Sequence, residues 1–176
     1  MYTSITVLAV LVLATGCGST RPAQPSPPRT VRLNWHETYT SHGERLVFVV
    51  RRLRIGRGGW SVDASVTNGT RTPLTIERAH RPGQTLFGLL VLRTRDVGAV
   101  ARTGQFREPL QTTRFVPSLP RLLEPGASWS GTFSGPGTLA RRRYVRIEFG
   151  RFWTNATGPA ARWRGFIWIT NHALHV

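Results

Sequence analysis

The sequence lacks lysine and has one cysteine, and each shortage excludes a class of protein. A single cysteine, Cys17, cannot form a disulfide within the chain, so the fold does not rest on a disulfide framework. All 24 basic residues are arginine against only eight acidic residues, which gives a net charge of +16. A protein that holds nucleic acid usually mixes lysine with arginine as phosphate contacts. The composition therefore indicates a basic surface and does not favour a nucleic-acid partner.

The lone cysteine stands directly behind an apolar leader. Residues 5–14 form an apolar segment of signal-peptide length that is too short to cross a bilayer as a permanent helix. The small residues Ala14, Thr15 and Gly16 then precede Cys17. This arrangement resembles the signal of bacterial lipoproteins, in which cleavage leaves an acylated cysteine at the mature N-terminus. The resemblance implies lipidation of Cys17, attachment to the cell membrane and an extracytoplasmic location.

The segment after Cys17 reads GSTRPAQPSPPRT and is rich in proline and small polar residues. Such a composition cannot bury a core and favours an extended polyproline conformation. We therefore divide the chain into a signal peptide at residues 1–16, a lipidated cysteine with a proline-rich tether at 17–30, and one domain at 31–176. A domain of this length is large enough for a core of its own.

The domain breaks into short apolar runs separated by turn signals, which predicts an all-β fold. Alternation is clearest where Trp60, Val62, Ala64 and Val66 are separated by polar residues, as a strand with one buried face requires. Asn68 and the glycine after it predict a turn at the end of that strand. The predicted strands are residues 31–39, 45–55, 60–67, 74–76, 86–93, 128–133, 144–152 and 164–170.

Three stretches of the domain are similar to small immunoglobulin-like domains of bacterial lipoproteins. They are VDASVTNGTRTPLTI, LEPGASWSGTF and RRRYVRIEF, in which an early strand ends in V-x-N and a later strand follows a Leu-x-Pro-Gly turn. The resemblance implies an immunoglobulin-like antiparallel β-sandwich of about seven to nine strands. Sandwiches of this kind host many unrelated functions, so the fold implies no activity.

Residues that could carry chemistry are few and scattered. Of the five histidines only His172 and His175 are near neighbours, and positions three apart on a strand face opposite sides, so we expect surface histidines and no metal site. The eight carboxylates form no evident acid and base pair. We expect neither an enzyme nor a cofactor. Among the tryptophans, Trp60, Trp129 and Trp168 are predicted core residues, and the remaining three, Trp35, Trp153 and Trp163, are candidates for the surface.

Three functions remain open. The first is a non-catalytic envelope lipoprotein whose sandwich binds another protein or an envelope component, and it ranks first because it explains leader, tether and fold together. The second is a binder of anionic envelope polymers or lipid headgroups, with Arg141, Arg142 and Arg143 as the candidate patch. Its further candidate arginines are Arg121, Arg162 and Arg164. The third is an enzyme, which ranks last because no nucleophile, metal cluster or paired acid is visible.

Overall fold

A computed structural model describes residues 24–76, 87–96, 98, 99, 102 and 109–176. The fold is all-β, with two packed antiparallel sheets, as a β-sandwich requires. The described strands are β1 (Arg29–Ser41), β2 (Glu44–Ile55), β3 (Gly59–Gly69), β4 (Leu74–Ile76), β5 (Phe87–Leu92), β6 (Leu110–Gln111), β7 (Arg114–Val116), β8 (Leu122–Leu123), β9 (Ser128–Pro136), β10 (Tyr144–Trp153), β11 (Phe166–Ile169) and β12 (Leu174–His175). Seven of these have four or more residues.

The first sheet has the order β1-β2-β3-β9-β7. The strands β1 and β2 are joined by a tight turn in which His42 and Gly43 both have positive φ, 52° and 75°. The alternation predicted in β3 is confirmed, because Trp60, Val62, Ala64 and Val66 are all buried. In β2 a bulge next to Arg51 shifts the register with β3 and turns consecutive arginines toward solvent.

The second sheet has the order β6-β5-β10-β4-β8, and β11 and β12 also pair with β10. Its central strand is β10, whose residues Val145, Ile147 and Phe149 are fully buried. The strand β5 pairs with the first part of β10, and β4 pairs with its last two residues. Residues 93–127, which appear irregular in the sequence, contain the short strands β6, β7 and β8.

Aromatic rings fill the space between the two sheets. Phe87 contacts Phe133 and Trp129 of the first sheet and Phe149 of its own sheet, with ring centroids 5.4 to 6.1 Å apart. Most pairs around Phe87 meet edge to face, the geometry that the ring quadrupole favours. The core is therefore supplied by both sheets, and no disulfide contributes to it.

The predicted turn at Asn68 is wrong. Asn68 is the tenth residue of β3 and is fully buried, and the chain then crosses to β4 in the other sheet. Its amide donates to the carbonyls of Thr72 and Leu123, and its Oδ1 accepts from the backbone and hydroxyl of Thr70. Asn68 is there because its side chain satisfies the backbone of a crossover, which requires both a donor and an acceptor at one point.

Within the described residues, no helix is long and apolar enough to cross a membrane. The predicted leader at residues 1–16, Cys17 and the first part of the tether lie outside the described residues. Residues 24–30, the last part of the predicted tether, lie against the sandwich. Pro25 forms a bridge with Ala140, Ser26 donates from its backbone to the Leu139 carbonyl at 2.6 Å, and β1 begins at Arg29.

Candidate functional site

The arginine triplet lies in the connection between β9 and β10, at one end of the sandwich. Arg141 and Arg142 are exposed and Arg143 is half-buried. Arg142 has a positive φ of 58°, and the backbone of Arg143 exchanges hydrogen bonds with Val176. The triplet is thus held in place by its main chain, while its side chains reach outward.

The same end of the sandwich receives the chain that comes from Cys17. The backbone of Arg141 donates to the Gln24 carbonyl at 2.8 Å, and its guanidinium lies 3.4 Å from Gln24 Oε1. Arg29, at the start of β1, donates to the His175 carbonyl at 3.2 Å. The entry of the chain and the arginine triplet are therefore direct neighbours.

The turn between β2 and β3 completes this end. Gly58 accepts a hydrogen bond from the backbone of Gly137, and the Arg57 carbonyl accepts one from Thr138. Arg57 is exposed. We call this surface the basic end, and it consists of Arg29, Arg57, Arg141, Arg142 and Arg143. None of these five guanidinium groups forms an ion pair with a carboxylate of the described residues.

The other predicted arginines lie elsewhere. Arg121 precedes β8, and Arg162 and Arg164 lie in and directly after a short 3-10 helix, Gly158–Trp163, all near the end of the sandwich opposite the basic end. Arg162 donates to Glu44 Oε2 at 2.6 Å and lies over the Trp163 ring. The structure thus separates these three arginines from the predicted patch.

Glu44, which follows the first hairpin turn, links β2 to the segment after β3 and to the 3-10 helix at the end of the sandwich opposite the basic end. The indole of Trp163 donates to Glu44 Oε2 at 3.1 Å, and the backbone of Arg71 donates to Oε1. These hydrogen bonds, with the Trp163 bond as the largest contribution, lower the pKa of Glu44, and the charge of Arg162 acts in the same direction. Trp163, a predicted surface residue, is fully buried because this bond satisfies its indole N–H.

A second carboxylate, Glu37 of β1, is buried and accepts four hydrogen bonds. Trp168 Nε1 donates at 3.0 Å, the backbones of Asn171 and His172 donate at 2.8 and 2.9 Å, and His172 Nδ1 lies 2.6 Å away. The His172 ring stacks on Trp35 with centroids 5.5 Å apart. The pair clamps the segment after β11 onto β1, which is a structural role.

The histidines of the described residues do not assemble. His172 contacts Glu37, whereas His175 packs on Tyr144 with ring centroids 4.9 Å apart. His80 lies outside the described residues. Among those described, no group of three or more histidine, cysteine or acidic side chains could hold a metal ion.

Arginines on the outer face of the first sheet are compensated by an acid. Arg54 makes a bidentate pair with Asp63 at 2.7 and 2.9 Å, Arg52 lies 3.7 Å from the same carboxylate, and Thr132 donates to it at 2.8 Å. Partial burial would raise the pKa of Asp63, but the bonds from Arg54 and Thr132 outweigh it and the pKa is lowered. This cluster carries less free positive charge than the basic end.

Arg29 and Arg57 were not among the residues that the sequence predicted for a patch. They are separated from the triplet by more than eighty positions, and no local pattern links them. Only the antiparallel strand order brings the start of β1, the β2–β3 turn and the β9–β10 connection to one end.

A comparison of the chain with protein-family models, with curated proteins and with solved structures finds no match.

Proposed function

We propose that the chain is a lipid-anchored protein of the bacterial cell envelope, whose immunoglobulin-like sandwich binds another protein or an envelope component without catalysis. The observation that carries this proposal is the position of Cys17, behind an apolar leader and seven residues before Gln24, the first described residue, whose carbonyl accepts from Arg141 of the sandwich. Seven extended residues span roughly 20 Å at about 3 Å per residue. The sandwich would stay close to the bilayer, with its basic end facing the headgroups.

The order of the strands supports an immunoglobulin-like assignment. The order β2-β3-β9-β7 in one sheet and β5-β10-β11 in the other corresponds to the A-B-E-D and C-F-G sheets of constant-type domains, in the same chain order. The hairpin strand β1 is an addition at the edge of the first sheet. Domains with this architecture commonly act by binding through their surfaces, and the activity has to be argued from the site.

A second function, binding of anionic headgroups or envelope polymers, is favoured by the basic end. Five arginines without a described acidic partner surround the point where the anchored chain would arrive. Guanidinium groups bind phosphate through paired hydrogen bonds, and basic residues next to a lipid anchor strengthen attachment to an anionic membrane. The two functions are compatible, because the basic end lies at one end of the sandwich and leaves exposed residues on the outer face of the first sheet, such as Arg51, available.

The anchor is tested by replacing Cys17 with alanine in the producing cell. We expect Cys17→Ala to move the protein from the membrane fraction to the soluble or secreted fraction, while Ser19→Ala, a control in the same tether, leaves it in the membrane. Metabolic labelling with a fatty acid should mark the Ser19→Ala chain and not the Cys17→Ala chain. Membrane partitioning and labelling that survive Cys17→Ala would contradict the lipoprotein assignment.

A further inference from the structure

An open cleft of about 530 Å³ lies at the basic end, between the start of β1 and the β2–β3 turn. Arg29 lines one side, and Arg57 and Gly58 line the other. Pro28, which is exposed, supplies an apolar part of the wall. Ile55 and Trp60 also line the cleft, but only 3% and 4% of their surface is exposed. The indole N–H of Trp60 donates to the Pro136 carbonyl at 3.1 Å, so the ring is fixed in position.

The cleft is lined by three arginines, of which one is paired with a carboxylate. Arg54, which also lines it, is held bidentately by Asp63 on the outer sheet face. Arg29 donates only to a backbone carbonyl, and the Arg57 side chain makes no hydrogen bond or ion pair within the described part of the chain. Among the described residues, no carboxylate lines the cleft. Two guanidinium groups are therefore available to an anion.

The size of the cleft indicates what kind of anion fits. A volume of about 530 Å³ lies within the range of small-molecule sites and exceeds the space that a bare phosphate needs. An anionic group with organic substituents on both sides would place its charge between Arg29 and Arg57 and its substituents along the apolar surface at Pro28. A phosphodiester has this shape and matches the forked geometry of guanidinium donors.

We propose that this cleft binds a phosphodiester, supplied either by a membrane headgroup or by a soluble or polymeric glycerol phosphate. The inference deepens the proposed function and rests on it only for the source of the ligand. The cleft is next to residues 24–29, so an anchored domain would bring it to the headgroup layer.

Gly58 allows a sharp test because a Cβ atom at this residue meets no atom within 4 Å and its φ is not positive. Gly58→Glu therefore adds a negative charge to the cleft without moving its walls. Gly58→Gln adds nearly the same volume without charge. Arg57→Gln removes one of the two available guanidinium groups, and Thr40→Glu, at an exposed position near the opposite end, makes the same change in net charge far from the cleft.

The purified full chain is held in dodecyl maltoside micelles, which contain no phosphate, and titrated with glycerophosphoglycerol by calorimetry. We expect Gly58→Glu and Arg57→Gln to raise the dissociation constant about tenfold or more, since Gly58→Glu places a like charge beside the anion and Arg57→Gln removes a charge-assisted contact. Gly58→Gln should weaken binding less than Gly58→Glu does, and Thr40→Glu should change the dissociation constant less than about threefold. Equal weakening by Gly58→Glu and Thr40→Glu, or no binding by the unchanged chain, would overturn the proposal.

Hydrogen exchange of residues 54–61 distinguishes the two sources. Protection that appears when phosphatidylglycerol is added to the micelle identifies the headgroup, and protection that requires soluble glycerophosphoglycerol identifies a free or polymeric ligand. Either result supports the site, and absence of protection in both arms overturns it. This readout is independent of the Cys17→Ala fractionation, because a chain without a lipid anchor would still show binding of the soluble diester.

Discussion

The indole nitrogen of Trp168 lies 3.0 Å from Glu37 Oε2, although the two residues are 131 positions apart in the chain. Trp163 makes the equivalent bond to Glu44 at 3.1 Å, across 119 positions. Two carboxylates on either side of the first hairpin turn thus each accept from a tryptophan of the last part of the chain. These bonds fasten the edge of one sheet to the edge of the other.

Replacing Glu37 with glutamine should destabilise the domain by about 2 to 3 kcal/mol, because the amide cannot accept at both of its ends and leaves buried donors without a partner. The donors at risk are the Trp168 indole and the backbone of Asn171, or the two groups of His172. Urea unfolding followed by tryptophan fluorescence gives the free energy of unfolding. Thr38→Gln, on the exposed face of the same strand, is the control and should shift it by less than about 0.5 kcal/mol. A loss no greater than that of the control would contradict the clamp.

Replacing Asn68 with alanine should cost about 3 kcal/mol of unfolding free energy, since it removes both the donors and the acceptor that hold the β3–β4 crossover. Asn155→Ala is the control, because Asn155 is exposed and its side chain makes no hydrogen bond to a described residue. Thermal unfolding of both variants measures the difference. If the two variants unfold at the same temperature, the crossover does not depend on this side chain.

Glu44 predicts a dependence of stability on pH. Its pKa is lowered in the fold, so its contribution is fully present above the unfolded carboxyl value of about 4.3 and is lost as the pH falls through the lower folded value. Between neutral pH and about pH 3, the unchanged protein should therefore lose more stability than Glu44→Gln does. Glu124→Gln removes an exposed carboxyl and should keep the acid sensitivity of the unchanged protein. Parallel curves for the unchanged protein and Glu44→Gln would disprove the assignment.

The position of the arginine triplet predicts that membrane binding depends more on charge at the basic end than on charge at the opposite end. Replacing Arg141, Arg142 and Arg143 with glutamine should weaken attraction to anionic vesicles, and the loss should be largest at low salt, because these surface charges act through a screened potential. The matched control replaces Arg45, Arg71 and Arg164, three exposed arginines near the opposite end, and removes the same charge. Flotation with phosphatidylglycerol vesicles measures both variants. An equal loss would mean that the charge acts only as a diffuse background.

The alternation of side chains was sufficient to predict the long strands and the fold class. In β3 and β10 the apolar residues recur at every second position, and the residues predicted to face inward are buried. The predicted strands 31–39 and 45–55 also leave a short connection between them, and the structure has a tight turn there, at His42 and Gly43. These features depend on residues that are close together in the sequence, so one sequence is enough to predict them.

The sequence did not predict the features that depend on contacts between distant segments of the chain. Trp163 was a candidate for the surface because it lies outside the predicted strands. In the structure it is fully buried, and its indole donates a hydrogen bond to Glu44. Asn68 followed by glycine is typical of a turn, but the Asn68 amide donates to the Leu123 carbonyl and so stabilises the crossover from β3 to β4. The basic end joins Arg29 and Arg57 to the triplet through topology alone. No local pattern of charge or hydropathy carries this information.

Both tryptophan donors lie near the C-terminal end of the sequence, so the domain cannot finish folding until that part of the chain has been made. Synthesis proceeds from the N-terminus, so the hairpin of β1 and β2 exists before residues 162–172 have been made. Tyr39 packs against Trp163, Phe166 and Trp168, which means that an aromatic surface of the hairpin stays uncovered until the end of the chain arrives. Contacts this distant form slowly, and an uncovered strand face is prone to self-association. Truncation before residue 162 would therefore leave Tyr39 uncovered and should favour self-association of the hairpin.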